Sequence, residues 1–390
     1  MLELLFLLLP VAAGYGWVMG RNSVRQQQRK TSRILSKHYY KGLNFLLSDQ
    51  PDKAVDTLIK MVDTNSDSAE TNIAMGSFFR HRGEIDRAIK IHQNLVENPE
   101  LPEKLQENAL FELGRDYLLA GFLERAESAF KGLLSSEKFQ VMAHQQLFNI
   151  YQTTKEWDKA LELAENTVEQ NSNDNDLKLR VAHFYCEKAQ IAIREGEQQD
   201  AVKLLKKAIS SDEHNVRPWL VLASNAMQQE KYQEAYKHLT EIPKRNIDWF
   251  SEAVPSLVEC VEHTQQWDDL AQLLNDYSGK CATAYLAQVS LISRDKSPDE
   301  AIQYLLEQLR QSPSMKGFQK LLGLFAQNNQ QDPETRQSLE LLQDLIEAQI
   351  NQRPRYRCHN CGFSGRKIHW LCPSCKTWGG TKPIKGLDGE

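Results

Sequence analysis

Six alanines recur in matched surroundings, and this recurrence constrains the fold more than any other feature of the chain. Ala54, Ala88, Ala126, Ala160, Ala201 and Ala235 follow Pro-Asp-Lys, Ile-Asp-Arg, Leu-Glu-Arg, Trp-Asp-Lys, Gln-Gln-Asp and Tyr-Gln-Glu, at steps of 34, 38, 34, 41 and 34 residues. Twelve residues before the first three stand Gly42, Gly76 and Gly114, and the same offset before the sixth gives Ala223. Large apolar residues such as Leu58, Phe130 and Leu239 follow four positions after the alanine. A small residue where two antiparallel helices cross lets their backbones approach, and a bulky one would hold them apart. The pattern therefore predicts helix pairs stacked in series, each burying its apolar face only against its neighbours.

This period and small-residue pattern resemble the tetratricopeptide family over residues 35 to 245. Beyond that, Trp267 to Leu274 and Asp299 to Leu309 keep the style of a second helix but lose the spacing, which predicts diverged repeats to about residue 350, roughly nine units in all. The fold class is mainly α. Family likeness implies a helical superhelix with a concave groove for extended segments or helices of other proteins. A spacer holding the C-terminal module away from a membrane is the alternative.

From Leu4 to Met19 there is no charged residue, and about 18 to 20 helical residues span a bilayer core. Residues 1–20 are expected to be a transmembrane anchor. A cleaved signal peptide would carry positive charge ahead of the apolar run, where this chain has Glu3. Positive charge follows instead, in a basic juxtamembrane linker over residues 21–34 (Arg21, Arg25, Arg29, Lys30), which places the bulk of a single-pass protein in the cytoplasm. Ala12, Gly16 and Gly20 lie on one face of that helix, where another membrane helix would fit closely. Cys186, Cys260 and Cys281 stand in apolar stretches like small core residues, unlike a secreted disulfide framework.

Near the C-terminus Cys358, Cys361, Cys372 and Cys375 form Cys-x2-Cys-x10-Cys-x2-Cys. Each Cys-x-x-Cys turn can aim two thiolates at one ion, and two such knuckles close a tetrahedral S4 shell with no open position. Gly362 and Pro373 suit tight, preset turns. Residues 354–390, with Tyr356-Arg-Cys-His-Asn-Cys-Gly-Phe and Trp370-Leu-Cys-Pro-Ser-Cys-Lys, look like a rubredoxin-type or zinc-ribbon module with aromatics at its core. One departure is Lys376, which stands where the second knuckle of a rubredoxin has glycine. His359 and His369 read as surface or supporting groups, because four cysteines already fill the shell. Iron and zinc both accept tetrahedral thiolate.

Eight Lys or Arg from Arg353 onward face only Asp388 and Glu390. The expectation is that these cations offset the thiolate charge and bind no nucleic acid, consistent with a net charge of -5 for the chain. No phosphate loop, metalloprotease helix or nucleophile elbow is present, so no enzyme is expected. His92, His144 and His214 read as packing or solvent-facing residues of repeat helices.

The whole architecture, with Met-Leu-Glu-Leu-Leu-Phe-Leu-Leu-Leu-Pro at the start, Ala182-His-Phe-Tyr-Cys in the middle and Lys382-Pro-Ile-Lys-Gly-Leu-Asp-Gly at the end, resembles the lipopolysaccharide assembly family of Gram-negative inner-membrane proteins. That resemblance implies a cytoplasm-facing adaptor. It would promote proteolysis of the lipid A pathway deacetylase by a membrane-anchored AAA+ protease, and scaffold other lipopolysaccharide synthesis or regulatory membrane proteins. It also implies iron as the metal. The alternative function is a rubredoxin-like electron-transfer protein tethered to the membrane.

Overall fold

A computed structural model describes residue 19 and residues 69–168, 174–327 and 333–390. The expected anchor, the basic linker and the repeat around Gly42, Ala54 and Leu58 lie outside the described residues. Among the described residues no helix is long and apolar enough to cross a membrane. Two compact units divide between Lys155 and Glu156.

The first unit holds α1 (Ala69–His81), α2 (Ile85–Val96), α3 (Glu103–Ala120), α4 (Leu123–Lys131) and α5 (Gln140–Thr154). Ala88 and Ala126 are fully buried. The glycines twelve positions earlier are needed for the reason the sequence suggests: a Cβ on Gly76 would sit 2.4 Å from His92 Nε2, and one on Gly114 would sit 2.8 Å from the Phe130 ring. Both neighbours stand four residues after a repeat alanine. The same unit buries a charged group that the repeat pattern does not announce. Arg80 pairs with Glu112 and, at 2.8 Å, with Asp116, whose other oxygen lies 2.5 Å from His92 Nδ1. Burial pushes the Glu112 carboxyl up, Arg80 and Arg115 pull it down, and the net shift is downward.

The second unit holds α6 (Trp157–Val168), α7 (Asn175–Glu195), α8 (Gln198–Ser211), α9 (Arg217–Gln228), α10 (Tyr232–Thr240), α11 (Ile242–Arg245), α12 (Phe250–Thr264), α13 (Trp267–Tyr277), α14 (Ala282–Asp295), α15 (Pro298–Gln311), α16 (Met315–Gln327) and α17 (Pro333–Gln352). Ala160, Ala201 and Ala235 are again fully buried, as are Leu270, Leu274 and Ala301 farther along. The 41-residue step before Ala201 accommodates α7, a helix of 21 residues whose Asp174 cap accepts from the amides of Asp176 and Leu177. His214, expected within a helix, is exposed in the turn between α8 and α9. Asp212 supplies the reason, since its carboxylate accepts from the His214 amide after α8 has ended.

One structural period runs further along the chain than the alanine period. Gly83, Gly121, Lys155, Gly196, Glu230 and Gln265 all have left-handed φ between 59° and 86°, and each stands five residues before a buried repeat residue: Ala88, Ala126, Ala160, Ala201, Ala235 and Leu270. Within each unit this is the reversal between the two helices of a pair, where a left-handed residue ends the first helix. The turn recurs at Gln265, but leucine has replaced the alanine at 270. At the next pair even the turn changes, and Ser297 caps α15 through the Glu300 amide with Pro298 in the first turn.

After α17 the chain forms a small antiparallel sheet, β1 (Tyr356–Cys358), β2 (Ser364–Gly365) and β3 (Thr381–Pro383), in the order β2-β1-β3. Strands this short leave little interior of their own, and the module relies on other contacts.

Candidate metal centre and its platform

Both cysteine knuckles are built by the same local hydrogen bonds. In the first, the Gly362 amide donates to the Cys358 carbonyl at 2.9 Å and the Cys358 amide donates to the Phe363 carbonyl at 2.7 Å. In the second, the Lys376 amide donates to the Cys372 carbonyl at 3.0 Å and the Cys372 amide donates to the Thr377 carbonyl at 3.0 Å. The fold keeps the knuckle without its glycine: Lys376 takes φ 56°, against 77° for Gly362.

These turns bring the four sulfurs within 4.8 Å of one another. The closest pairs join the knuckles, with Cys358 Sγ 3.7 Å from Cys375 Sγ and Cys361 Sγ 3.6 Å from Cys372 Sγ. A tetrahedron with metal–sulfur bonds of about 2.3 Å has edges of about 3.8 Å, so the set could hold one ion. Cys358 and Cys372 are buried, Cys375 is half-buried and Cys361 is exposed. The Thr377 hydroxyl, 3.3 Å from Cys375 Sγ, and Asn360 bring that thiol down to about 5. The Phe363 amide lowers Cys361, whereas burial raises Cys372 to about 11. A bound cation would hold all four as thiolates. His359 is exposed, and His369 packs edge-on against Phe363 with ring centroids 5.8 Å apart.

The aromatics were expected inside the module, and the two tryptophans do something else. Trp378 stacks on His183 at 4.8 Å and meets Trp157 and Phe184 edge-on. Trp370 stacks on Trp249 at 4.6 Å. A sheet of eight residues has no interior for two indoles, so their apolar area is buried against the helices. Arg217 lies between them, its guanidinium 5.6 Å from the Trp370 ring and 5.8 Å from that of Trp378. With a side chain 2% exposed, it pairs with Glu187 at 2.6 Å and donates to His183 Nδ1 at 3.3 Å. Burial and the Arg217 charge hold His183 well below the usual histidine range.

Polar contacts frame this platform. The Tyr356 hydroxyl donates to Glu252 at 2.8 Å, and Lys382 and Lys385 both pair with Asp248. The C-terminal turn closes the arrangement: the Met315 amide donates to the Leu387 carbonyl at 2.8 Å. Glu390 accepts from the Thr283 amide and hydroxyl and from Lys316. Several of the terminal cations thus meet carboxylates of the repeats and the C-terminal turn. Sequence reasoning missed His183, Arg217, Trp249, Asp248 and Glu252 as platform residues. His183 and Phe184 fall in the Ala182-His-Phe-Tyr-Cys stretch that carries part of the family resemblance. The three remaining cysteines are core residues, all buried, with burial raising Cys186 and Cys281 to about 12 and Cys260 to about 11.

Paired helices ending in a docked four-cysteine module define a tetratricopeptide-repeat protein with a rubredoxin-like metal module. The tetratricopeptide repeat family matches residues 192–253, and the rubredoxin metal binding domain family matches residues 356–383. The chain belongs to the lipopolysaccharide assembly protein B family: it is 39% identical to that protein of Escherichia coli K12 and 36% identical to that of Haemophilus influenzae, covering 100% of both chains in each comparison. A crystal structure of MamA aligns with 44% of this chain and 94% of its own at 20% identity, with a TM-score of 0.32.

Proposed function

We propose that the chain is a noncatalytic adaptor of lipopolysaccharide assembly. Residues 1–20 anchor it in the bacterial inner membrane, residues 21–34 link the anchor to the cytoplasmic repeats of residues 35–350, and residues 354–390 hold one iron or zinc ion on Cys358, Cys361, Cys372 and Cys375. The repeats bring the lipid A pathway deacetylase to a membrane-anchored AAA+ protease and hold other lipopolysaccharide synthesis or regulatory proteins nearby. Holding the adaptor and the protease in one membrane raises their effective concentrations without new contacts. Full-length kinship with lipopolysaccharide assembly protein B carries this reading. A thiolate shell that leaves no substrate position supports it. Depletion of the protein is expected to lengthen the deacetylase half-life several-fold and raise lipopolysaccharide relative to phospholipid. An unchanged half-life and an unchanged ratio would remove the proposal.

Electron transfer is the second reading, and two observations favour it: Cys361 is exposed, and Lys376 preserves the knuckle geometry. It predicts that a zinc-loaded protein is inactive in the cell. Full complementation by the zinc form eliminates it.

A further inference from the structure

A cavity of about 340 Å³ opens between the end of α17 and the C-terminal turn, and none of the four cysteines lines it. Its size falls at the small end of ligand sites, which run about 300–1,000 Å³. Arg353 and Arg355 reach it from the connection between α17 and β1, Arg366 from the residue after β2, and Lys316 from the first turn of α16. The carboxylates that face these four cations are Glu252, Asp388 and Glu390.

Those carboxylates leave the cations unequally matched. Glu390 is taken by Lys316 and by the Thr283 amide and hydroxyl. Asp388 pairs with Arg353. Glu252 accepts the Tyr356 hydroxyl at 2.8 Å and meets Arg355 only at 3.7 Å. Among the described residues no carboxylate pairs with Arg366, which donates to the main-chain carbonyl of Asn351. Two guanidiniums at one cavity are therefore weakly compensated, while Ile350, Pro354, Pro383 and Ile384 supply apolar walls. Planar forks of N–H donors beside an apolar wall suit a tetrahedral oxyanion, which accepts two parallel bonds from each guanidinium.

We propose that this cavity binds a phosphate group through Arg355 and Arg366, with Arg353 shared between the phosphate and Asp388. The ligand is either a soluble phosphate monoester or the phosphate of a lipid headgroup. Binding would brace the start of β1 against the end of β2, because Arg355 precedes β1 and Arg366 follows β2. The proposal is independent of which proteins the repeats recruit.

Calorimetric titration of the full-length, metal-loaded protein in detergent tests it. One arm uses glycerol 3-phosphate, and the other compares solubilised phosphatidylglycerol with phosphatidylcholine. Saturable binding in either arm is expected, weakened at least tenfold by Arg355→Gln and by Arg366→Gln and unchanged by Lys367→Gln, which alters an exposed cation outside the cavity. Saturation by glycerol 3-phosphate assigns a soluble ligand, and saturation by phosphatidylglycerol alone assigns a lipid. Arg355→Gln leaves the helix-end contact of Arg366 intact and serves if Arg366→Gln loses its metal. Absence of saturation in both arms, or equal weakening by Lys367→Gln, overturns the proposal.

Discussion

At residue scale, Lys376 adopts a left-handed backbone that an L side chain occupies at a cost of about 1–2 kcal/mol. Gly362 makes the same turn without it. Lys376→Gly is therefore expected to stabilise the module by about 1 kcal/mol, after allowing for glycine's greater freedom in the unfolded chain. Slower metal release to a chelator would register the gain, and faster release would refute it. His183 sets a pH dependence. It is held neutral when folded and takes up a proton near 6.5 once unfolded, so the unfolded state binds more protons below that pH. Stability is then complete above 6.5 and falls as pH drops, by up to about 1.4 kcal/mol per unit for one group. His144 and His238, also lowered, add to the slope. Denaturant unfolding between pH 7.5 and 5.5 should show a shallower slope for His183→Gln, and an identical slope would contradict the assignment. Glu390 and Asp248, whose folded carboxyls are lowered, lose their contributions only at more acidic pH, below their ordinary values of 4.5 and 3.8.

At the scale of elements, the helix pairs rest on small residues facing large ones. Gly114→Ala would press a methyl into the Phe130 ring, 2.8 Å away, and is expected to destabilise the first unit by about 1–3 kcal/mol, read as a lower denaturation midpoint. An unchanged midpoint would mean the crossing is looser than it looks. These pairs were legible in the sequence because a close crossing admits only a small residue, as the contacts a Cβ on Gly76 or Gly114 would meet show. Legibility failed where geometry survived a change of residue. Lys155, Glu230 and Gln265 make the left-handed turn that Gly83, Gly121 and Gly196 make elsewhere, and Leu270 fills the alanine position. The cysteine set was legible because the chemistry of a thiolate shell fixes both residue type and spacing. Its platform was not, since His183 and Trp249 are 66 residues apart in sequence and no local pattern joins them.

At the scale of the molecule, the second unit is a repeat stack that holds its own C-terminal module through buried aromatics, one buried cation and a closing turn. Arg217 is the group on which this docking depends most. Arg217→Ala leaves Glu187 without its buried partner and the two indoles without the cation between them. The pair is half-buried, with Glu187 28% exposed, so its loss costs less than the roughly 3–5 kcal/mol of a fully buried pair, but the lost packing of Arg217 between the indoles adds to it. The variant should keep its helical circular dichroism while protease cleaves the connection before β1. Resistance equal to the parent chain would show that the indole stacking suffices alone.

Hydrogen exchange of the full-length protein before and after metal removal tests the central claim most directly. If the metal folds the module and the module covers the platform, stripping the ion should speed exchange in residues 356–383 and also in α7 around His183 and in the turn at Trp249, while α15 keeps its protection. Loss of protection confined to residues 356–383, with α7 and the Trp249 turn unchanged, would contradict it.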